Sequence, residues 1–166
     1  MATAYIGIGS NVNRDENIRA GLKAIRPLGT SMQVSSIYES KAYGFDGDNF
    51  YNLTVRLETS LDAETLNGKL RQIEQQYGRL RDVPRFSSRT LDLDLLLYDE
   101  LVRHDVVLDI PRADILGCAF VLRPLAEIAG QLQHPETGIT INSLWDKFDS
   151  SQQPTWVVEF DTGMNT

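Results

Sequence analysis

Leucine occupies every second position of the segment Thr90-Leu91-Asp92-Leu93-Asp94-Leu95-Leu96-Leu97-Tyr98. Successive side chains of an extended strand point to opposite faces, so this alternation predicts a half-buried β-strand. The predicted core face consists of Leu91, Leu93, Leu95 and Leu97. Asp92 and Asp94 are then expected together on the other face.

Upstream of this strand, further strands and two helices are predicted. Runs of β-compatible residues predict strands at 2–8, 32–39 and 51–57. Apolar residues at helical spacing predict a helix through Ile18, Leu22 and Ile25 and another through Leu66, Leu70, Ile73 and Tyr77. The resulting order is βαββαβ, which is typical of a ferredoxin-like α+β fold. Two helices then cover one face of an antiparallel sheet, and the other face is expected to be free to build a site.

The rest of the chain is expected to extend this core. Residues 99–166 contain a possible helix near 141–148 and a strand-like alternation of Trp156, Val158 and Phe160. Ser60 or Asp62 is the candidate cap of the second core helix. No repeat, low-complexity tract or linker divides the 166 residues, so one domain spanning 1–166 is expected.

Charge and cysteine content argue against several classes of protein. The chain has 23 acidic and 16 basic residues, and its formal net charge of −7 opposes general binding to nucleic acid. The single cysteine, Cys118, excludes an intrachain disulfide and fits a reducing compartment. Neither a basic leader nor an apolar run of membrane-spanning length is present. A cytoplasmic monomer without a membrane partner is therefore expected.

The two aspartates of the leucine-rich strand are the strongest candidates for chemistry. Two close carboxylates repel each other unless they are solvated, protonated or bound to a cation, and such pairs commonly hold Mg²⁺ beside phosphate oxygens. Taken alone, the D-x-D triplet fits a solvated strand edge equally well. The neighbouring residues favour a site, because four arginines precede the acids: Arg79, Arg81, Arg85 and Arg89. Guanidinium groups suit bidentate phosphate binding, so the combination indicates phosphoryl transfer.

Other candidate residues favour structural roles. The segment Gly7-Ile8-Gly9-Ser10-Asn11 lacks the third glycine of a dinucleotide fingerprint and the lysine of a Walker loop, so a tight turn is expected there. His104 and His134 have no acid or nucleophile at a recognisable spacing and are expected to be surface histidines. Cys118 is expected to be a small packed side chain.

Five segments together resemble the 6-hydroxymethyl-7,8-dihydropterin pyrophosphokinase family, in order and at its spacing. They are 4–11, Tyr51-Asn52, Arg79 with Arg81, 89–95 and 119–128. The combination of R-x-L-D-L-D with F-V-L-x-P-L-x-E-I is highly specific, and the segments cover most of residues 2–130. The resemblance implies pyrophosphoryl transfer from ATP to a reduced pterin alcohol in folate biosynthesis, with release of AMP.

The resemblance also implies a role for each matching residue. Asp92 and Asp94 would ligate two Mg²⁺ ions that bridge the ATP phosphates and the pterin hydroxymethyl oxygen. The pterin would be held by Ser40, Ala42, Tyr43, Asn52, Phe86 and Phe120, with the two phenylalanine rings stacking on it. The nucleotide would be held by Glu74, Arg79, Arg81, Arg89 and Arg112, of which Arg79 and Arg89 also serve catalysis. Residues 79–88 would form a mobile loop that closes over ATP.

Three positions depart from the family pattern. Arg112 stands where a histidine usually follows the proline, Cys118 stands where an arginine is usual, and Asp82 replaces a common basic residue. Because the usual histidine and arginine contact phosphate, a paralogue that binds pterin or nucleotide with weak or no transfer is the alternative function. A ferredoxin-like RNA-binding module also fits the fold, but neither the acidic balance nor the absence of an aromatic RNP-type segment supports it.

Overall fold

The computed structural model describes residues 1–42, 47–77 and 91–163. Its strands are β1 (Ala2–Ser10), β2 (Ser31–Val34), β3 (Ile37–Ser40), β4 (Phe50–Thr59), β5 (Asp92–Tyr98), β6 (Arg103–His104), β7 (Asp109–Ile110) and β8 (Thr155–Val158). Its helices are α1 (Arg14–Ile25), α2 (Ala63–Gln76), α3 (Asp114–Gly117), α4 (Ala119–Ala129) and α5 (Ile141–Lys147). A 3-10 turn, Arg26–Leu28, follows α1.

The main sheet has six strands in the order β5-β1-β4-β3-β8, with β2 also paired to β4. Every pairing in it is antiparallel. Strand β1 lies between β4 and β5, and helices α1 and α2 follow β1 and β4 respectively. This is the predicted ferredoxin-like α+β arrangement, and the expected C-terminal helix and strand are α5 and β8. Strands β6 and β7 form a separate hairpin.

One face of the sheet packs against α1 and α2. Ala4, Ile6 and Ile8 of β1 join the apolar residues of both helices in one buried cluster. The cap expected for α2 is present, since the carboxylate of Asp62 accepts a hydrogen bond from the backbone N–H of Thr65 at 2.7 Å. Within the part of the chain that the structure describes, no helix is both long and apolar enough to cross a bilayer.

The strand predicted at 32–39 is two strands. Ser35 is buried between β2 and β3, and its hydroxyl accepts a hydrogen bond from the backbone N–H of Thr54 at 2.9 Å. The backbone N–H of Ser35 donates to the carbonyl oxygen of Thr54, also at 2.9 Å. A side chain therefore takes the place of a backbone acceptor, and the ladder between this segment and β4 is interrupted.

The prediction that Leu97 shares the core face of Leu93 and Leu95 was wrong. The register of β1 against β5 shifts between Tyr5 and Ile6, which pair with Leu97 and Leu95 respectively. One extra residue, Leu96, is therefore accommodated in β5, as in a β-bulge. Leu96 and Leu97 consequently pack with Tyr5 in a second buried cluster on the opposite face of the sheet.

The second face is not wholly free, which corrects a further expectation. Leu122 and Leu125 of α4, together with Ile115 and Ile141, complete the second cluster over Tyr5. Helix α4 contains Pro124, which removes one backbone donor and obscures the helix in the sequence. The bulge in β5 divides this face, because the leucines after it are covered by helices and the aspartates before it remain accessible.

Candidate active site

The candidate site is built on a row of three residues across adjacent strands. Gly9 of β1 pairs with Asn52 of β4 on one side and with Asp92 of β5 on the other. Directly paired residues point to the same face of a sheet, so the amide and the carboxylate flank Gly9 on one surface. Neighbouring strands lie about 5 Å apart, so the outer two Cα atoms are about 10 Å apart.

A side chain larger than that of glycine at the centre of this row would require the Asn52 amide to move. A Cβ atom added to Gly9 would lie 2.6 Å from Oδ1 of Asn52, which is closer than side chains approach each other. Asn52 is buried, with 8% of its surface exposed, and its side chain leans over the glycine. The Asn52 amide therefore occupies the space that a side chain at position 9 would need.

The second aspartate lies in the next row of the same face. Gly7 pairs with Asp94, which is half-buried with 23% of its side chain exposed. Among the residues that the structure describes, two guanidinium groups approach its Oδ1 atom. The Nη2 atom of Arg71 in α2 lies 3.6 Å away, and the Nη1 atom of Arg112 lies 3.9 Å away. Arg112, which was predicted at the nucleotide site, therefore lies beside Asp94, and so does Arg71, which was not among the predicted residues.

Glu74 binds the strand between the two aspartates. Its side chain is almost fully buried, and its Oε2 atom accepts a hydrogen bond from the backbone N–H of Leu93 at 2.8 Å. Its Oε1 atom pairs with Arg71 one helical turn earlier at 2.8 Å. Helix α2 and strand β5 are thereby joined directly behind the site. The i,i+3 spacing of Arg71 and Glu74 on a predicted helix was a signal from which Arg71 could have been found.

Arg112 is held beside the acids by its backbone and by Asp114. It follows the cis peptide bond between Ile110 and Pro111, and its N–H donates to the carbonyl oxygen of Leu96 at 3.1 Å. Its Nη2 atom lies 3.4 Å from Oδ2 of Asp114. Burial alone would lower the pKa of the Arg112 guanidinium, but the charges of Asp94, Asp114 and Asp92 outweigh it and the pKa is raised. Arg112 therefore stays charged at every accessible pH.

Other predicted pterin residues lie on the Asn52 side of the sheet. Ser40 is buried at the end of β3, which runs beside β4, and Ala42 is half-buried two residues later. Phe120 is half-buried in the first turn of α4, a helix that packs on β3 and β4. Helix α4, which carries Phe120, thus packs on the two strands that carry Ser40 and Asn52.

Several predicted site residues lie outside the described residues. They are Tyr43, Arg79, Arg81, Phe86 and Arg89, together with Asp82 and Arg85 and the whole predicted loop at 79–88. Their roles remain predictions.

The tight turn expected at 7–11 was wrong, because residues 7–10 continue strand β1 and neither Gly7 nor Gly9 has a positive φ. Cys118 is half-buried immediately before α4, and its N–H donates to the carbonyl oxygen of Asp114 at 2.9 Å. His104 is an exposed histidine between Asp109 and Glu136. His134 is buried, so the prediction of a surface histidine was wrong there. Its Nδ1 atom accepts hydrogen bonds from the N–H groups of Glu136 and Thr137 at 3.2 and 3.3 Å, which stabilise a turn.

The carboxylates of Asp92 and Asp94 suit a metal ion whose remaining ligands come from a bound phosphate and water. Within residues 1–42, 47–77 and 91–163, no group of three or more His, Cys, Asp or Glu side chains could hold a metal ion by itself. Asp92 and Asp94 supply hard carboxylate oxygens from one strand face, which is the kind of partial coordination that Mg²⁺ completes with phosphate oxygens and water. A ferredoxin-like sheet that carries these carboxylates beside arginines has the composition of a phosphoryl-transfer site.

Comparison with known proteins identifies the family. The sequence model of the 7,8-dihydro-6-hydroxymethylpterin-pyrophosphokinase family matches residues 5–130. The 2-amino-4-hydroxy-6-hydroxymethyldihydropteridine pyrophosphokinase of Haemophilus influenzae is 41% identical over 84% of this chain and 89% of the relative. The enzyme of the same name from Aquifex aeolicus is 36% identical over 81% and 85%. The chain belongs to this family of ATP-dependent pyrophosphokinases of folate biosynthesis, which confirms the resemblance seen in its sequence.

Longer relatives contain a similar segment. The folic acid synthesis protein fol1 of Pneumocystis carinii is 38% identical over 86% of this chain but only 20% of its own length. The solved HPPK-DHPS structure of Plasmodium falciparum with SDX-DHP superposes with a TM-score of 0.69 at 14% identity, over 88% of this chain and 44% of that one. At this identity the structural likeness supports the fold alone. This chain spans less than half of that solved chain.

Proposed function

We propose that this protein transfers the pyrophosphoryl group of ATP to the hydroxymethyl oxygen of 6-hydroxymethyl-7,8-dihydropterin. The oxygen–phosphorus bond to the β-phosphorus forms as the bond from that phosphorus to the α,β-bridging oxygen breaks. The products are the pterin pyrophosphate and AMP, and the hydroxyl proton is released. The observation that carries this proposal is the row of Asn52, Gly9 and Asp92, which sets a hydrogen-bonding amide and a metal-competent carboxylate on one face of the sheet.

Asp92 and Asp94 are the proposed ligands of two Mg²⁺ ions. Their spacing on one face of β5 lets both carboxylates reach the same small volume. When bound, Mg²⁺ offsets the charge of the transferring phosphates and orients them beside the attacking oxygen. Glu74 supports this arrangement because its hydrogen bond to the N–H of Leu93 fixes the strand between the two ligands.

The pterin is proposed to bind on the Asn52 side of Gly9. An amide offers both a donor and an acceptor, which matches the mixed edge of a pterin ring. Ser40 and Ala42 supply backbone groups from the end of β3, and Phe120 offers a flat apolar surface for stacking. Tyr43 and Phe86 are proposed to complete this pocket.

The nucleotide is proposed to bind on the Asp94 side. Arg112 presents a permanent positive charge beside Asp94. Glu74, in the last turn of α2, lies on the same side of the site. Arg79, Arg81 and Arg89 are proposed to grip the triphosphate, and residues 79–88 to close over it. Alignment and charge neutralisation then suffice, since an alcohol that attacks phosphorus needs no strong protein base.

The alternative is a paralogue that binds pterin or nucleotide with weak or no transfer. Its support is the contact of Arg112 with Asp114, which engages the guanidinium within the protein, and the neutral Cys118 before α4. Among the described residues one chain supplies both halves of the candidate site, so a monomer suffices. The lone cysteine suits a cytoplasmic enzyme.

AMP production from ATP tests the proposed function. It should require both the pterin alcohol and Mg²⁺, and one AMP should appear for each pterin pyrophosphate. AMP that forms equally without the pterin alcohol would indicate a different acceptor. If no AMP forms above background while the pterin still binds in calorimetry, the binding paralogue is the correct function.

A further inference from the structure

Arg71 is a fixed cation beside the proposed metal ligand Asp94. Its side chain is mostly buried, with 24% exposed. Nη1 pairs with Oε1 of Glu74 at 2.8 Å, and Nη2 donates to the carbonyl oxygen of Leu93. Nη2 also lies 3.6 Å from Oδ1 of Asp94. Arg71 therefore contacts an anion, a backbone oxygen and the proposed ligand at once.

Arg112 differs from Arg71 in how firmly it is held. Its closest charged partner is Asp114 at 3.4 Å, and its Nε atom is buried without a hydrogen-bond partner in the described part of the chain. Arg112 is therefore less firmly anchored than Arg71. Arg71 has a separate anchor on each of its terminal nitrogens, so it is expected to stay beside Asp94 when nucleotide binds.

A guanidinium this close changes what Asp94 binds. A positive charge within 4 Å offsets the attraction of a carboxylate for a second cation, and partial burial limits screening by salt. The negative charges of a triphosphate reverse this balance. Free divalent cations are therefore disfavoured at Asp94, whereas cations that arrive with a polyphosphate are not.

We propose that Arg71 is a positioning residue that holds the Asp94 carboxylate in place and suppresses its binding of divalent cations until a polyphosphate is present. The inference rests on the proposed function, because it takes Asp94 as a metal ligand. Arg71 acts through its contacts with Asp94 and Glu74.

Titration of the full chain with Mn²⁺, followed by electron paramagnetic resonance without nucleotide, tests this role. Arg71→Gln is expected to bind Mn²⁺ roughly fivefold to tenfold more tightly than the wild type, because a neighbouring positive charge is removed. Arg71→Lys retains the charge and should match the wild type. Arg56→Gln is the matched control for net charge, since Arg56 pairs with Glu58 on β4 at 2.9 Å and should leave Mn²⁺ affinity unchanged.

The gain in Mn²⁺ affinity caused by Arg71→Gln should be smaller when α,β-methylene-ATP is bound. The phosphates of the nucleotide offset the charge of Arg71 in the wild type. An affinity of Arg71→Gln equal to or below that of the wild type, or an equal gain in Arg56→Gln, overturns the inference. The absence of detectable Mn²⁺ binding in every variant overturns it as well.

A measurement on the wild type covers the case in which Arg71→Gln does not fold. With Mn²⁺ and α,β-methylene-ATP bound, the Nε signal of Arg71 in nitrogen-15 NMR should be broadened and that of Arg56 should stay sharp. A sharp Arg71 signal contradicts the proposed position. These readouts do not depend on turnover, so a protein that shows the Arg71 effect but makes no AMP would overturn the proposed function alone.

Discussion

At the scale of single residues, the candidate pterin pocket depends on Gly9 of β1 and not on Gly7. Both lie on the face that carries Asp92 and Asp94, but they differ in what lies above them. A Cβ atom on Gly7 would meet the side chain of Leu96 at 3.5 Å, an ordinary contact, whereas one on Gly9 would lie 2.6 Å from Asn52. The two positions therefore form a matched pair for testing the pterin pocket.

Gly9→Ala is expected to weaken pterin binding by roughly tenfold, because the new methyl group displaces the Asn52 amide and one buried polar contact is lost. Gly7→Ala should leave pterin affinity unchanged. Isothermal titration calorimetry with the pterin alcohol measures both. Equal affinities in Gly9→Ala and Gly7→Ala would mean that Asn52 does not hold the pterin.

Asp94→Ala and Asp92→Ala should each lower the rate of AMP formation by roughly a hundredfold or more, since each removes a proposed ligand of the ions that neutralise the phosphates. The control is Asp146→Ala, at an exposed aspartate of α5. The measurement is the turnover rate at saturating Mg²⁺. Near-wild-type turnover of either variant would contradict the metal assignment.

Arg112→Ala should lower catalytic efficiency, because a cation that faces both aspartates and the nucleotide side is lost. Cys118→Arg is expected to raise efficiency if the new guanidinium reaches the phosphates. Steady-state kinetics with ATP as the varied substrate measure both.

The melting temperature of Cys118→Arg is the necessary control, because a charge at a half-buried position can destabilise the fold. If Cys118→Arg folds but its catalytic efficiency does not rise, an arginine at this position does not reach the phosphates.

At the scale of elements, helix α2 is the support of the site. Its first turn is capped by Asp62, and Arg71 and Glu74 in its last two turns connect it to β5. The acceptance of a hydrogen bond from the N–H of Thr65 holds the pKa of Asp62 below its usual value. The stabilisation that this cap gives to α2 therefore depends on pH.

Asp62→Ala should lower the melting temperature at neutral pH, since an orphan N–H of the first turn loses its acceptor. The Asp62 carboxylate stabilises the fold fully above its unfolded pKa, and this contribution is lost as pH falls through the lower folded pKa. The difference in melting temperature between wild type and variant should accordingly shrink in acid. Differential scanning calorimetry across pH measures it, and a difference that stays constant down to the acid limit would contradict the cap's ionic character.

At the scale of the whole molecule, one sheet separates two buried clusters. Leu70 of α2 belongs to the cluster on one face, and Leu122 of α4 belongs to the cluster on the other. Both side chains are almost fully buried, at 0% and 1% exposed. Because β1 and β5 contribute to both clusters, we expect the chain to unfold as one domain.

Leu70→Ala and Leu122→Ala should each destabilise the protein by about 2 to 5 kcal/mol, through lost burial and the cavity left behind. Both should shift one common transition in urea unfolding. Fluorescence and circular dichroism provide two independent probes of that transition. Two separate transitions, each moved by only one of the variants, would contradict a single domain.

The sequence by itself determined the βαββαβ order and the common face of Asp92 and Asp94, because periods of two and 3.6 residues are local properties of the backbone. It also carried the family motifs. The tertiary structure decided the face of Leu97, the packing of α4 over part of the second face, and the approach of Arg71 to Asp94. It also decided the alignment of Asn52 with Gly9 and Asp92. Each of these depends on strand register or on packing between segments far apart in the chain, and periodicity within one segment carries no information about its partners.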